Sequence, residues 1–360
     1  MTKKIGIGII GTGFAKSTQI PAFLECKDAE VVSIASRSLQ NAEKTANSFG
    51  IKHFTDDWRE TIVREDIDLI SITTPPVLHH EMTMFALEHG KHILCEKPMA
   101  MNVAEAEEMT RLASEKGVMA LIDHELRFLN GRRKAYELIR NGEIGQIVHF
   151  KQMFRNASRG KLNVPWNWWS DIDSGGGALG AIGSHAIDAF EWFTGSGITD
   201  VFCMLKTNIK ERFDQNGKKR AVTSDDEANL ILKIADSELT RDTSAAASFS
   251  VAEAGKYDFR TMIFGTEGSL MIGESGELRI AKMGGKDWEP IEIELGDPPP
   301  NTITGGWSRG FMQFAREIVE ALRDGKKPIQ HAATFETGLR VQKVLDAARE
   351  SDAKKAMVKV

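Results

Sequence analysis

Ile5-Gly6-Ile7-Gly8-Ile9-Ile10-Gly11-Thr12-Gly13-Phe14 is an apolar run that ends in a Gly-x-Gly loop, and its reading decides the fold. A buried strand that turns on glycine into a helix brings its backbone N–H groups against a dinucleotide pyrophosphate. The full fingerprint places Gly or Ala at the sixth position, where helix and strand pack closely. This chain has Lys16 there, with Ala15 just before it. Two readings follow: a helix start shifted by one residue, or a lysine reaching toward cofactor phosphate.

Outward from that loop, strand and helix alternate. Apolar, β-branched runs recur at Val31 to Ala35, Leu69 to Ile72, His92 to Cys95 and Val118 to Ile122. Amphipathic stretches lie between them at Ser38 to Phe49, Leu78 to Glu88 and Ala104 to Lys116. Strands that are apolar throughout are buried on both faces, as in a parallel sheet covered by helices. The expectation is an α/β chain whose residues 1–123 form a doubly wound Rossmann domain. After it the pattern changes to longer alternating runs, such as Ala228 to Ile234 and Thr243 to Val251, separated by turn signals. Residues 124–360 are therefore expected to form an α+β domain with a large, mainly antiparallel, open-faced sheet, the last helices packing back on the core.

Composition narrows the function classes. At 360 residues two domains are expected, and 41% hydrophobic with 27% charged residues is a globular composition. A net charge of −5 provides no basic field for nucleic acid or anionic lipid. Lys3 and Lys4 before the apolar run resemble a leader, but the run is short and ends in the glycine loop rather than a cleavage site. No segment approaches the ~20 apolar residues of a membrane helix. Cys26, Cys95 and Cys203 are widely spaced and odd in number, which argues for buried thiols and a reducing cytoplasm. No cluster of His, Cys and carboxylates has metal-ligand spacing, so no metal is expected.

The end of the second strand selects the adenosine ribose partner. An acid there binds the 2′-hydroxyl of NAD, whereas an arginine accommodates a 2′-phosphate. Here the residues are Ser36 and Arg37, with no acid, so NADP(H) is expected as the preferred cofactor and NAD(H) as the second. Thr74-Pro75 ends the third long run and aims backbone groups at the crevice, with His79 beyond it. Glu96-Lys97-Pro98 follows the run Ile93 to Cys95 and sets a lysine at a strand end of the same sheet. Desolvation disfavours the charged form of such a lysine and suits it to proton transfer.

With these motifs in view, the chain resembles the glucose-fructose oxidoreductase, inositol dehydrogenase and rhizopine-catabolism family, written Gfo/Idh/MocA. The resemblance rests on Gly11-Thr12-Gly13-Phe14, Thr74-Pro75 with His79, Glu96-Lys97-Pro98, Gly175 to Asp188 and the closing Phe335 to Gln342. It implies cofactor contacts from Gly11, Gly13, Phe14, Ala15, Lys16, Ser36, Arg37, Thr74, Pro75, His79, Glu96 and Lys97. It implies that Lys97 touches nicotinamide ribose and the substrate oxygen, and it makes His185 the second catalytic residue. The family commonly places an aspartate four residues before this histidine; here that position is Ala181, which puts the usual relay in doubt.

Histidine as a residue type is suited to the proton that accompanies a hydride, which makes His185 the candidate general acid or base. Asp188 follows at helical spacing and either orients the ring or caps a structural network. Pro165-Trp166-Asn167-Trp168-Trp169 reads as an aromatic wall for a cyclic substrate, with Trp166 and Trp168 as candidates, or as a core or subunit contact. Arg127 and Arg155 are further candidates on the substrate side. The expectation is a cytoplasmic homodimer or homotetramer that transfers hydride between nicotinamide and a secondary alcohol or carbonyl of a small sugar, polyol or related cyclic substrate. Reduction of an imine or conjugated system, and a nucleotide-binding regulator without turnover, are the alternatives.

Overall fold

A computed structural model of the chain describes residues 4–300, 302, 305–325 and 327–360. Lys3, half of the leader-like pair, lies outside the described residues. The chain forms two compact units, Met1–Leu129 with Gly296–Leu339, and Asn130–Leu295 with Arg340–Val360.

The first unit is built on β1 (Ile5–Ile10), β2 (Ala29–Ala35), β3 (His53–Thr55), β4 (Leu69–Ile72), β5 (His92–Cys95) and β6 (Ala120–Ile122). They run parallel in the order β6-β5-β4-β1-β2-β3, and the short strand Ala333–Thr334 adds antiparallel to β6. The order reverses between β1 and β4, which opens a crevice at their carboxyl ends. The strands divide their side chains between two apolar layers. Ile7, Ile9, Leu69 and Leu94 enter one, while Ile10, Ile70, Ile72, Ile93 and Cys95 enter the other, as a pleat of period two requires.

Helices α1 (Ile20–Leu24) and α2 (Leu39–Phe49) cover the first layer; α3 (Trp58–Ile62), α4 (His79–Glu88) and α5 (Val103–Lys116) cover the second. Local capping fixes where these helices begin. The Ser38 hydroxyl accepts from Asn41 N at the start of α2. At α5 the Asn102 side chain accepts from Glu105 N at 3.0 Å while the Glu105 carboxylate accepts from Met101 N at 2.9 Å. The elements β3, α1 and α3 carry no clear sequence pattern, because three to five residues are too few to show a period.

The second unit begins with α6 (Asn130–Arg140), β7 (Ile147–Arg155) and α7 (Ser184–Thr194), followed by β8 (Ile198–Lys206), β9 (Glu211–Phe213), β10 (Lys219–Ala221), β11 (Glu227–Ile234), β12 (Thr240–Ser250), β13 (Asp258–Gly265), β14 (Gly268–Ile272), β15 (Leu278–Lys282) and β16 (Glu289–Ile291). Nine strands form one sheet in the order β16-β15-β14-β13-β7-β12-β11-β8, with Val358–Lys359 at the last edge. Only β7 and β12 pair in parallel among the described ladders, so the sheet is mainly antiparallel as expected. One face packs on α7, where Phe150 meets Phe190 at 5.1 Å. The other face stays open, with Met204 at 57% and Ile231 at 49% exposure and Phe202 and Met153 half-buried.

The expected division at residue 123 needs one correction. Gly296–Leu339 belongs with the first unit, not the second. The cause is α8 (Gly306–Arg323), whose Phe311 packs edge-on to Phe23 at 5.5 Å and whose Phe314 stacks on Phe128 at 4.2 Å. Without that apolar stripe the layer around Ile7 and Ile9 would face water. The closing helix α9 (Phe335–Lys354) starts in the first unit and ends in the second, where the Ser351 hydroxyl accepts from Cys203 N at 2.9 Å. All three cysteines are buried and unpaired. Burial pushes the Cys26 thiol up to about 11 and the Cys203 thiol up to about 12.

Candidate active site

The nucleotide crevice is assembled within the first unit. Gly11 sits at φ +104°, and a Cβ there would lie 2.6 Å from the Thr73 carbonyl oxygen. Only glycine satisfies both conditions. At Gly13 the space a Cβ would take holds no atom within 4 Å, so the backbone after β1 is open to a ligand that approaches closely. Phe14 then leads into a wide helical turn, Ala15–Gln19, that continues as α1.

Ala15 is fully buried and takes the close-packing place. Lys16 turns outward, and its Nζ donates to Asn41 Oδ1 at 3.0 Å. The Asn41 amide in turn donates to Thr12 Oγ1 at 2.5 Å and Ser36 Oγ at 3.1 Å. One asparagine on α2 thereby ties the glycine loop, the end of β2 and Lys16 into a single polar cluster beside exposed Arg37. Asn41 escapes sequence reading because a polar residue in the first turn of a helix is ordinary.

Two of the residues expected to touch cofactor are held by protein partners. His79 is fully buried, with Nδ1 3.0 Å from the Pro98 carbonyl oxygen and Nε2 2.9 Å from that of Thr74. Burial holds the ring below its ordinary titration range, so the neutral imidazole donates its one N–H to one of these carbonyls. His79 pins the Thr74-Pro75 turn to the Lys97-Pro98 segment, whose peptide bond is cis. Glu96 is 8% exposed and faces inward: its Oε1 accepts from Gln19 Nε2 at 3.1 Å and its Oε2 from Lys97 N at 3.3 Å.

The Gln19 amide also donates to Asp123 Oδ2 at 2.7 Å and accepts from Ser71 Oγ at 2.6 Å. Burial pushes both carboxyls up, Asp123 well above the carboxylate range, because Glu96 and Glu125 add negative charge beside it. Lys97 follows this buried pair and is half-buried at the crevice end of β5. Arg127 is 6% exposed, and its Nη1 donates to the His331 carbonyl at 3.0 Å inside the same unit.

In the second unit α7 carries His185 and Asp188, each 2% exposed, with Ala181 on the preceding wide turn Leu179–Gly183. Asp225 sits at the start of that turn, its Oδ2 accepting from Leu179 N at 2.8 Å. Burial pushes its carboxyl up to about 6. Of the tryptophans, Trp166 lies under the Arg220 guanidinium at 3.5 Å and donates its indole N–H to the Ala221 carbonyl at 2.9 Å. Trp169 lies under Arg159 at 5.1 Å. Trp168 is half-buried and tilts against Trp169 at 6.4 Å. Trp166 thus braces the β9–β10 hairpin. Arg155 closes β7. It shares the parity of Lys151 and Met153 on β7, faces the open side of the sheet and pairs with Glu253 and Ser248, whereas α7 covers the side of Phe150 and Phe154.

A parallel sheet with a glycine loop at its order reversal, a strand-end lysine and no acid at the end of β2 define a dinucleotide-dependent oxidoreductase. Residues 5–124 match the oxidoreductase family with NAD-binding Rossmann fold, GFO_IDH_MocA, and residues 132–271 match the GFO/IDH/MocA C-terminal domain. The chain belongs to this family. Levoglucosan dehydrogenase of Pseudarthrobacter phenanthrenivorans is 28% identical, with 99% of this chain and 98% of that protein covered. Glucose-6-phosphate 3-dehydrogenase of Bacillus subtilis is 28% identical, with 96% of each covered. A solved structure of levoglucosan dehydrogenase with NADH and levoglucosan superposes with a TM-score of 0.88 at 26% identity, covering 99% of this chain and 100% of that one.

Asp225 yields a prediction of stability. The folded chain binds its proton more tightly than the unfolded chain, so stability present below pH 3.8 is lost as the pH rises through about 6. Asp225→Asn keeps the acceptor for Leu179 N and removes the charge. Between about pH 4 and pH 7 the wild type should lose about 2–3 kcal/mol relative to this variant in urea unfolding. A constant difference across that range would refute the assignment.

Proposed function

We propose that this oxidoreductase prefers NADP(H), with NAD(H) as its second cofactor, and interconverts a secondary alcohol and a carbonyl on a sugar, polyol or related cyclic compound. The observation that carries the cofactor preference is the cluster of Ser36, Arg37, Asn41 and Lys16 at the end of β2, where hydroxyl, amide and cations gather without an acid. A 2′-phosphate suits that cluster through charge-assisted hydrogen bonds. The sugar substrates named for the relatives support the substrate class, and NADH in the levoglucosan dehydrogenase structure supports NAD(H) as the second cofactor.

When bound, the nicotinamide supplies the hydride acceptor or donor. Gly11 and Gly13 admit the pyrophosphate to the backbone, and Thr74-Pro75, held by His79, shapes the crevice wall. Lys97 and His185 are the proposed proton-handling residues, Lys97 at the substrate oxygen. Asp188 positions His185, and Trp168 offers an aromatic face to a ring-shaped substrate. Ala181, where a carboxylate is expected, supports imine reduction as the second reading.

A homodimer or homotetramer is proposed to form through the open sheet face, where Phe202, Met204 and Ile231 leave apolar surface in reach of water. The buried, unpaired thiols support a reducing cytoplasm. No helix among the described residues is long and apolar enough to cross a membrane.

Arg37→Asp should invert the preference toward NAD(H), read as the ratio of kcat/KM with the two cofactors; an unchanged ratio would remove Arg37 from 2′-phosphate recognition. Lys97→Ala should lower kcat by at least ~10²-fold while cofactor still binds, and near-normal turnover would exclude Lys97 from proton transfer. Ile231→Asp should shift sedimentation toward monomer with the fold retained, and an unaltered assembly would place the interface elsewhere.

A further inference from the structure

Two acids, Glu96 and Asp123, are buried in contact behind the crevice, and one amide serves both. The Gln19 amide nitrogen donates to Glu96 Oε1 at 3.1 Å and Asp123 Oδ2 at 2.7 Å, which sets the two carboxyls side by side on one nitrogen. Asp123 Oδ1 meets no N–H or O–H donor of another described residue. Two touching carboxylates excluded from water cannot both ionise, so a proton must lie between them.

We propose that Asp123 holds this shared proton and that the one negative charge left on Glu96 makes the crevice favour oxidised over reduced nicotinamide. The pair stands at the carboxyl ends of β5 and β6, on the side of the order reversal away from the Arg37 cluster. In a doubly wound sheet this half takes the second mononucleotide, and the inference rests on that placement. An oxidised nicotinamide ring is cationic and a reduced one is neutral, so a fixed anion in this half discriminates between them. The other charges beside the pair are Lys97 and Glu125, and neither changes in the variants that test it. The Cys95 thiol next to it is held protonated by burial. Asp123 is thus a positioning residue that acts through Glu96.

The test is binding, not turnover. Affinities for oxidised and reduced cofactor are measured by calorimetry on the wild type, on Asp123→Asn and on Asp123→Asn combined with Glu96→Gln. Asp123→Asn removes the proton but leaves the charge on Glu96, so the ratio of the two dissociation constants should stay within about threefold of wild type. The double variant removes the charge, and oxidised cofactor should weaken about tenfold relative to reduced. A ratio in the double variant equal to that of Asp123→Asn would overturn the proposal, since a purely structural pair would weaken both forms together. Binding of neither form by the wild type would instead refute the nucleotide reading on which the inference rests. Infrared spectroscopy of the unmodified protein is the second measurement. At neutral pH it should show the carbonyl band of a buried protonated carboxyl that Asp123→Asn abolishes, and absence of that band in the wild type would overturn the shared proton.

Discussion

The side-chain amide of Gln19 holds the crevice end of the first unit together. A primary amide offers two N–H donors and one carbonyl acceptor, and here the acceptor faces Ser71 at the end of β4 while the nitrogen faces the acids after β5 and β6. A flip would set the carbonyl against two carboxyls and the nitrogen against a hydroxyl, so one orientation is enforced. Gln19 closes the helical turn that begins after the glycine loop. Three strand tips and the helical turn after the glycine loop are therefore fixed by one fully buried residue. Glu96 must turn inward to reach that amide, and the next residue, Lys97, stands half-buried at the crevice side.

Such a network is costly to assemble and hard to alter piecemeal. Each member is nearly sealed from water, so removing one leaves the others without compensation. Sharing a proton lowers that cost, since one buried negative charge replaces two. His79 works in the same way one layer out, as a neutral ring between two carbonyl groups that joins the β4 turn to the cis-Pro98 segment. The crevice is tied together where its polar groups are buried and is open at Gly13.

The parallel sheet was legible because strands buried on both faces are apolar throughout, and the open-faced sheet because one-sided burial leaves alternation. The return of Gly296–Leu339 to the first unit was not, because an amphipathic stripe such as that of Phe311 and Phe314 shows that a face is buried but not against what. The site divides along a similar line. Gly11, Gly13 and Lys97 were readable since backbone freedom and strand-end position are written in spacing. The partners of His79, Glu96, Arg127 and Arg155 were not legible for one reason: residue type announces chemistry, whereas direction is set by pleat parity and by the partner that claims each polar group. Gln19, Asn41, Asp123 and Asp225 left no signal, because a polar residue near an element end has many uses and no period.

Charge is laid out along the crevice in a manner that matches a dinucleotide end to end. On the β2 side Asn41 ties Lys16 to the hydroxyls of Thr12 and Ser36, and exposed Arg37 follows Ser36 in sequence. The β5–β6 side gathers acids around Lys97 and tempers them by proton sharing. A ligand with phosphates at one end and a ring that gains positive charge on oxidation at the other suits both halves, and reversing it would set phosphate against carboxylate. Because local dielectric is low at the buried pair, its charge acts at a range where an exposed acid would be screened. The same fold with an acid at the end of β2 and neutral residues at 96 and 123 would keep its shape and lose that polarity, so the direction in which the crevice reads its ligand is set by few side chains rather than by the sheet.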